Sequence, residues 1–160
     1  MTDPTAELWA TGWMTHAMHP TLDRFRHLLL RQEVVVGKLS HSDMRIIMVA
    51  AALAIPKDST STEREVTDRL HRWVTTVGSN MLVDAVELRR YLVDCRCLRR
   101  DPAGRAYTRS EDWPTGWTEI AAELESLDIV QFADQVRIEE AERRAARKKA
   151  ALEKKDTGAS

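Results

Sequence analysis

The chain is poor in cysteine, in glycine and in net charge. Its 24 Lys and Arg stand against 25 Asp and Glu, a formal net charge of −1 at pH 7, which excludes a uniformly basic nucleic-acid coat. The two cysteines, Cys95 and Cys97, are too few for a disulfide framework and too close to pair without strain, so a reducing compartment is predicted. Their nearest potential metal partners are His71 and the pair His16 and His19. No spacing among these residues matches a zinc template, and neither a metal nor a cofactor is expected. Six glycines form no phosphate-cradling loop, no nucleophile elbow is present, and the five histidines are scattered; an enzyme is not expected. No apolar run approaches the roughly 18–20 residues of a membrane span, and the first residues lack the basic-then-apolar layout of a signal peptide. A cytoplasmic protein without a membrane partner follows as the expectation.

What is present suffices for a core. Hydrophobic residues make up 43% of the chain and charged residues 31%, proportions that fit one globular domain plus an appendage. Residues 1–20 read as an arm carrying Trp9 and Trp13, which would lay its indoles on the domain or on a partner. Behind Pro20, Leu22, Phe25, Leu28 and Leu29 predict one face of a helix. Val34 to Val36 read as a short strand ended by Gly37. Ser40 with Asp43 has capping-box spacing ahead of Met44 to Ile55, a segment apolar almost all round, as a buried helix is. Asp58 to Thr62 read as a turn. Thr62 with Glu65 makes a second capping box, for a helix with Val66, Leu70 and Trp73 on one face. A further helix is predicted from about 82 or 84 to 94, burying Leu88, Tyr91 and Leu92.

The sharpest local signal is Asp101-Pro102-Ala103-Gly104, with Asp, Pro and Gly where a type I turn favours them. Strand candidates flank it, Cys97 to Arg100 and Arg105 to Arg109, and together they predict a hairpin. Three helices followed directly by a hairpin is the order of a winged helix, in which the third helix enters a major groove and the hairpin touches the flanking backbone. The expected fold is therefore mainly α with a small β-hairpin, a winged helix-turn-helix core over residues 21–109, and a long C-terminal helix. Residues 110–116 read as a linker between Trp113 and Trp117, residues 117–155 as a helical tail with Ile120, Leu124, Leu127, Val130 and Val136 along its stripe, and residues 156–160 as a disordered end.

Charge is segregated along the chain. Residues 87–109 hold seven arginines against three acids, residues 119–142 hold eight acids and one arginine, and residues 143–155 hold seven bases and one acid. A patch made wholly of arginine suits forked contacts with phosphates and guanine edges. The tail pattern has two readings. In one, Glu139 with Arg143 and Glu140 with Arg144 pair along a single solvated helix; in the other, the acidic half covers the arginine face of the same or another subunit.

Ser61-Thr62-Glu63-Arg64-Glu65-Val66 with Leu70 and Trp73, then Leu88-Arg89-Arg90-Tyr91-Leu92-Val93-Asp94, then Leu98-Arg99-Arg100-Asp101 and the return from Gly104 to Tyr107, resemble a bacterial domain of unknown function found in predicted transcriptional regulators. The resemblance covers residues 38–109 and rests most on the second motif. It implies a winged-helix fold and an association with regulation of transcription. Thr67 stands where that family has Asn, and Cys95-Arg96 where an aromatic residue and Gly turn the chain out of the helix.

Two functions are weighed. In the first, a transcriptional regulator binds double-stranded DNA, with Glu87, Arg89 and Arg90 on the third helix and Arg99, Arg100, Arg105 and Arg109 on the wing. In the second, a non-catalytic adaptor docks on a protein partner through the N-terminal arm or the C-terminal helix, with Trp9, Trp13, Trp113 and Trp117 as its contacts. A homodimer through the terminal helix is left open, and so is a buried ion pair of Arg89 or Arg90 with Glu63 or Glu65.

Overall fold

In the computed structural model, residues 19–158 are described; Trp9, Trp13 and His16 lie outside them. Six helices and three strands follow in the order α1 (Pro20–Leu30), α2 (His41–Ala52), β1 (Thr60–Thr62), α3 (Glu63–Thr75), α4 (Ala85–Asp94), β2 (Leu98–Arg100), β3 (Ala106–Arg109), α5 (Thr118–Glu125) and α6 (Ile129–Thr157). The strands form one antiparallel sheet in the order β1-β3-β2.

Local chemistry sets most of these boundaries. Pro20 opens α1 at a position where the missing amide costs nothing. At α3 both halves of the capping box form: Glu65 N–H donates to Thr62 Oγ1 at 3.2 Å, and Thr62 N–H to Glu65 Oε2 at 2.8 Å. The box expected at Ser40 is only half made. Ser40 accepts from Asp43 N–H, but the Asp43 carboxylate receives the Arg24 guanidinium in two parallel bonds of 2.7 Å. That fork ties α1 to α2 and stabilises more than a return to Ser40 would. From Ile46 to Ala52, α2 is buried all round, as its composition predicts.

Three expectations are corrected. Val34 to Val36 do not form a strand. Val34 makes a single parallel bridge to Met81, and Val36–Lys38 coil into a 3-10 turn, since no neighbouring strand extends the pairing. The predicted turn at Asp58 to Thr62 gives its second half to β1, whose Ser61 pairs with Tyr107. The third strand completes the free edge of β3, a long-range pairing that no local pattern announces. Finally, the tail is two helices. Asp128 accepts from Gln131 N–H and starts α6 afresh after the break at Ser126 and Leu127, and α6 continues to Thr157, past the boundary drawn at residue 155.

The first half of the tail belongs to the core. Leu124, Phe132, Ala133 and Val136 are buried, and Phe132 stacks on Phe25 of α1 with ring centroids 5.7 Å apart. Beyond Glu140 every residue of α6 is exposed. Two of its acids find partners in α1 or in their own helix: Arg26 and Arg143 with Glu139, and Arg144 and Arg147 with Glu140. Among the described residues no acid of α6 makes an ion pair with an arginine of residues 87–109, while Glu125 and Asp128, ahead of α6, line one pocket with Arg109. No described helix is long and apolar enough to cross a membrane.

The Arg24–Asp43 fork makes stability depend on acid. Hydrogen bonds from Arg24 hold the Asp43 carboxyl below the usual carboxylate range, against the opposing effect of its burial. A depressed folded value means that its contribution is present above the unfolded value of about 4 and is lost as pH falls through the folded one. Denaturant unfolding followed into acid is expected to show that loss, and Asp43→Asn to flatten this limb while lowering stability near neutrality.

Candidate nucleic-acid interface

Helix α4 is set by its N-cap, Asp84, which accepts from Glu87 N–H at 2.8 Å. Ala85, Leu88 and Leu92 face the core. The 3.6-residue period then turns Val86, Glu87, Arg90 and Asp94 outward, and all four are exposed. This outward face holds one arginine and two carboxylates, so the basic excess of residues 87–109 lies elsewhere.

Arg89, expected to reach DNA, points sideways into the fold. Its guanidinium meets Glu63 Oε1 at 3.0 Å and donates to Thr67 Oγ1, and it lies 5.6 Å from the centroid of the Tyr107 ring. The side chain is 11% exposed. Of the two glutamates left open in the sequence, Glu63 is thus the partner of Arg89, while Glu65 is used in the cap of α3. Arg89 fastens α4 to α3 and to β3 and fixes the angle between helix and hairpin. Between these elements lies a cleft of about 340 Å³ lined by Glu63, Arg89, Arg90, Asp94, Arg100 and Tyr107.

The hairpin closes as its sequence requires. Gly104 N–H donates to the Asp101 carbonyl at 3.0 Å, and Gly104 takes φ +70°, a conformation open to glycine without strain. Asp101 Oδ1 accepts from Arg105 N–H at 2.7 Å and Ala106 N–H at 3.1 Å. These amides hold its carboxyl below the ordinary range, so the turn stays anchored across physiological pH.

Pairing register divides the arginines of the hairpin between two faces. Leu98 opposite Arg109 and Arg100 opposite Tyr107 face the helices, while Arg99 opposite Thr108 faces outward. Arg109 is tethered, donating from Nη1 to the Ile55 carbonyl at 3.2 Å. The Arg100 guanidinium lies over Gly104 at the rim of the cleft. Arg99 and Arg105 are exposed and make no ion pair among the described residues. Beside Arg99, the outer surface of the sheet carries Thr60, Thr62 and Thr108.

The seven residues singled out in the sequence therefore separate. Glu87, Arg90, Arg99, Arg100 and Arg105 are exposed, with Arg99 on the face of the sheet turned away from the helices, whereas Arg89 and Arg109 are bonded into the fold. Trp113 and Trp117 are half-buried against the core, which reduces the indole surface open to a partner. Arg96, counted in the charge but not chosen as a site residue, is exposed where α4 meets the wing. Cys97 is buried and its thiol is pushed up to about 12, mainly by burial. Among the described residues no group of three or more His, Cys, Asp or Glu is placed to hold a metal ion.

Residues 38–109, less than half of the chain, match the family described as an uncharacterized protein conserved in bacteria (DUF2087). No curated protein and no solved structure matches the chain.

Proposed function

We propose that the chain is a DNA-binding regulator in which a winged helix-turn-helix core presents α4 to a major groove and the β2–β3 hairpin to the neighbouring backbone. The observation that carries this is that Arg99, Arg100 and Arg105 are all exposed on a hairpin that follows directly behind α4. The order helix, strand, helix, helix, strand, strand, with β3 central, supports the same reading. Because the outward face of α4 is not basic, the wing supplies most of the phosphate affinity. Arg90, at the centre of that face, is the residue suited to a guanine edge, and Glu87 can accept from a cytosine amine.

Two substitutions separate these roles. Arg90→Ala is expected to relax sequence preference in a selection from randomised duplexes. Arg105→Ala is expected to weaken all duplexes alike, and to reduce the slope of log affinity against log salt by about 1. Equal behaviour of both variants and the parent chain would remove the proposal.

A docking platform for a protein is the second reading, favoured by the exposed large apolar residues Leu82 and Val86, just ahead of and within the first turn of α4, and Val35, next to the Val34 that bridges to Met81. It separates from the first by its outcome: loss of Arg99 and Arg105 leaves such docking intact and removes duplex binding.

A further inference from the structure

We infer that Arg96 is a phosphate-binding residue, kept in an unfavourable backbone conformation because its side chain is needed at the junction of α4 and the wing. The inference rests on the proposed duplex binding and adds a residue to it.

Helix α4 ends with two crossed bonds, Cys97 N–H to the Leu92 carbonyl at 2.9 Å and Arg96 N–H to the Val93 carbonyl at 3.0 Å. This ending requires a left-handed residue between them, a place that glycine fills without strain. Arg96 occupies it with φ +62°. Elsewhere among the described residues the left-handed positions are taken by Gly104, Gly116 and Asp58, two glycines and a residue whose short polar side chain tolerates that region. Arg96 alone is long and charged.

The strain has no local escape. Ser110, itself buried, donates from Oγ to the Arg96 carbonyl at 2.6 Å and from N–H to the Cys97 carbonyl at 3.0 Å. Helix and hairpin therefore hold the Arg96 backbone from both sides. Its side chain is exposed and makes no hydrogen bond or ion pair among the described residues, so nothing in the fold uses the guanidinium. Two residues on, β2 begins and carries Arg99 and Arg100, so Arg96 stands in the chain between α4 and the arginines of the hairpin. Strain of this kind persists where a function holds it.

A competing account assigns Arg96 to the negative end of the helix dipole. The full chain and its variants Arg96→Gly and Arg96→Lys, with Arg105→Ala as a reference, decide between them by thermal unfolding and by titration of a labelled random-sequence duplex at several salt concentrations. Arg96→Gly is expected to melt higher, by about 2–4 °C, as the strain is relieved. The same variant is expected to bind duplex several-fold more weakly, its salt slope reduced by about 1. Arg96→Lys, which keeps both charge and strain, is expected to bind nearly as the parent does and to melt no higher. If Arg96→Gly binds like the parent while Arg105→Ala is weakened, Arg96 is not a phosphate contact and the proposed function stands. A fall in melting temperature on Arg96→Gly supports the dipole account and overturns the strain. Absence of duplex binding by the parent chain at low salt removes both proposals.

Discussion

Arg137→Ala is expected to destabilise the protein by about 2–4 kcal/mol. The Arg137 guanidinium reaches from α6 into the end of α3, donating to the carbonyls of Thr76 at 2.8 Å and Val77 at 2.6 Å and to Asn80 Oδ1 at 3.1 Å. Asn80 in turn donates to the carbonyls of Leu28 and Arg31, where α1 ends. Two helix ends, whose last carbonyls lack partners within their own helices, are thus satisfied through one arginine and one asparagine. Burial lowers the Arg137 pKa, a sign of the desolvation these bonds offset. Removing the side chain strands several acceptors at once and loosens α6 from α1, where Phe132 stacks on Phe25. Urea unfolding measures the loss; Arg137→Lys, a single point charge without the fork, is expected to recover less than half of it. A change below about 0.5 kcal/mol, typical of plain surface sites, would contradict this role. Duplex binding per folded molecule is expected to be unchanged, because neither α4 nor the hairpin touches Arg137.

Arg89→Met is expected to cost about 2–3 kcal/mol, below the range for fully buried pairs because Glu63 is half-exposed. It deletes the pair with Glu63, the bond to Thr67 and the contact with the Tyr107 ring. In a double-mutant cycle with Glu63→Gln the two changes are expected to couple by about 1–2 kcal/mol. The cycle also separates two roles for Arg89. A residue that reads a base would change sequence preference without coupling to Glu63. A residue that sets the angle between α4 and the wing couples to Glu63 and weakens every duplex alike.

Much of the fold is legible in the sequence where its cause is local. Thr62 and Glu65 announce a capping box, Asp101 to Gly104 a tight turn, and the all-round apolar run after Ser40 a buried helix. β1 was not legible, because a three-residue strand owes its existence to Tyr107, far along the chain, and Thr60-Ser61-Thr62 has no alternation to mark it. The break in the tail at Ser126 to Asp128 is hidden for a different reason: an apolar stripe continues across it, and the cap at Asp128 is the one local mark of the new start. At the candidate site, sequence spacing placed Glu87 and Arg90 outward correctly but could not distinguish Arg89 from Arg90. Adjacent residues on a helix differ by about 100° in direction, and the side of α4 that meets the hairpin is decided by tertiary packing. Charge counting has the same limit at Arg109, which is half-buried and bonded to the Ile55 carbonyl.

The central claim is that exposed arginines of the hairpin and of its junction with α4 bind the DNA backbone. Its most direct test is the affinity of the full chain for labelled duplex measured across a range of salt concentrations. With Arg96, Arg99, Arg100 and Arg105 each neutralising about one phosphate, the slope of log affinity against log salt is expected to be roughly −4. No binding at low salt, or binding with a slope near zero, would contradict the claim.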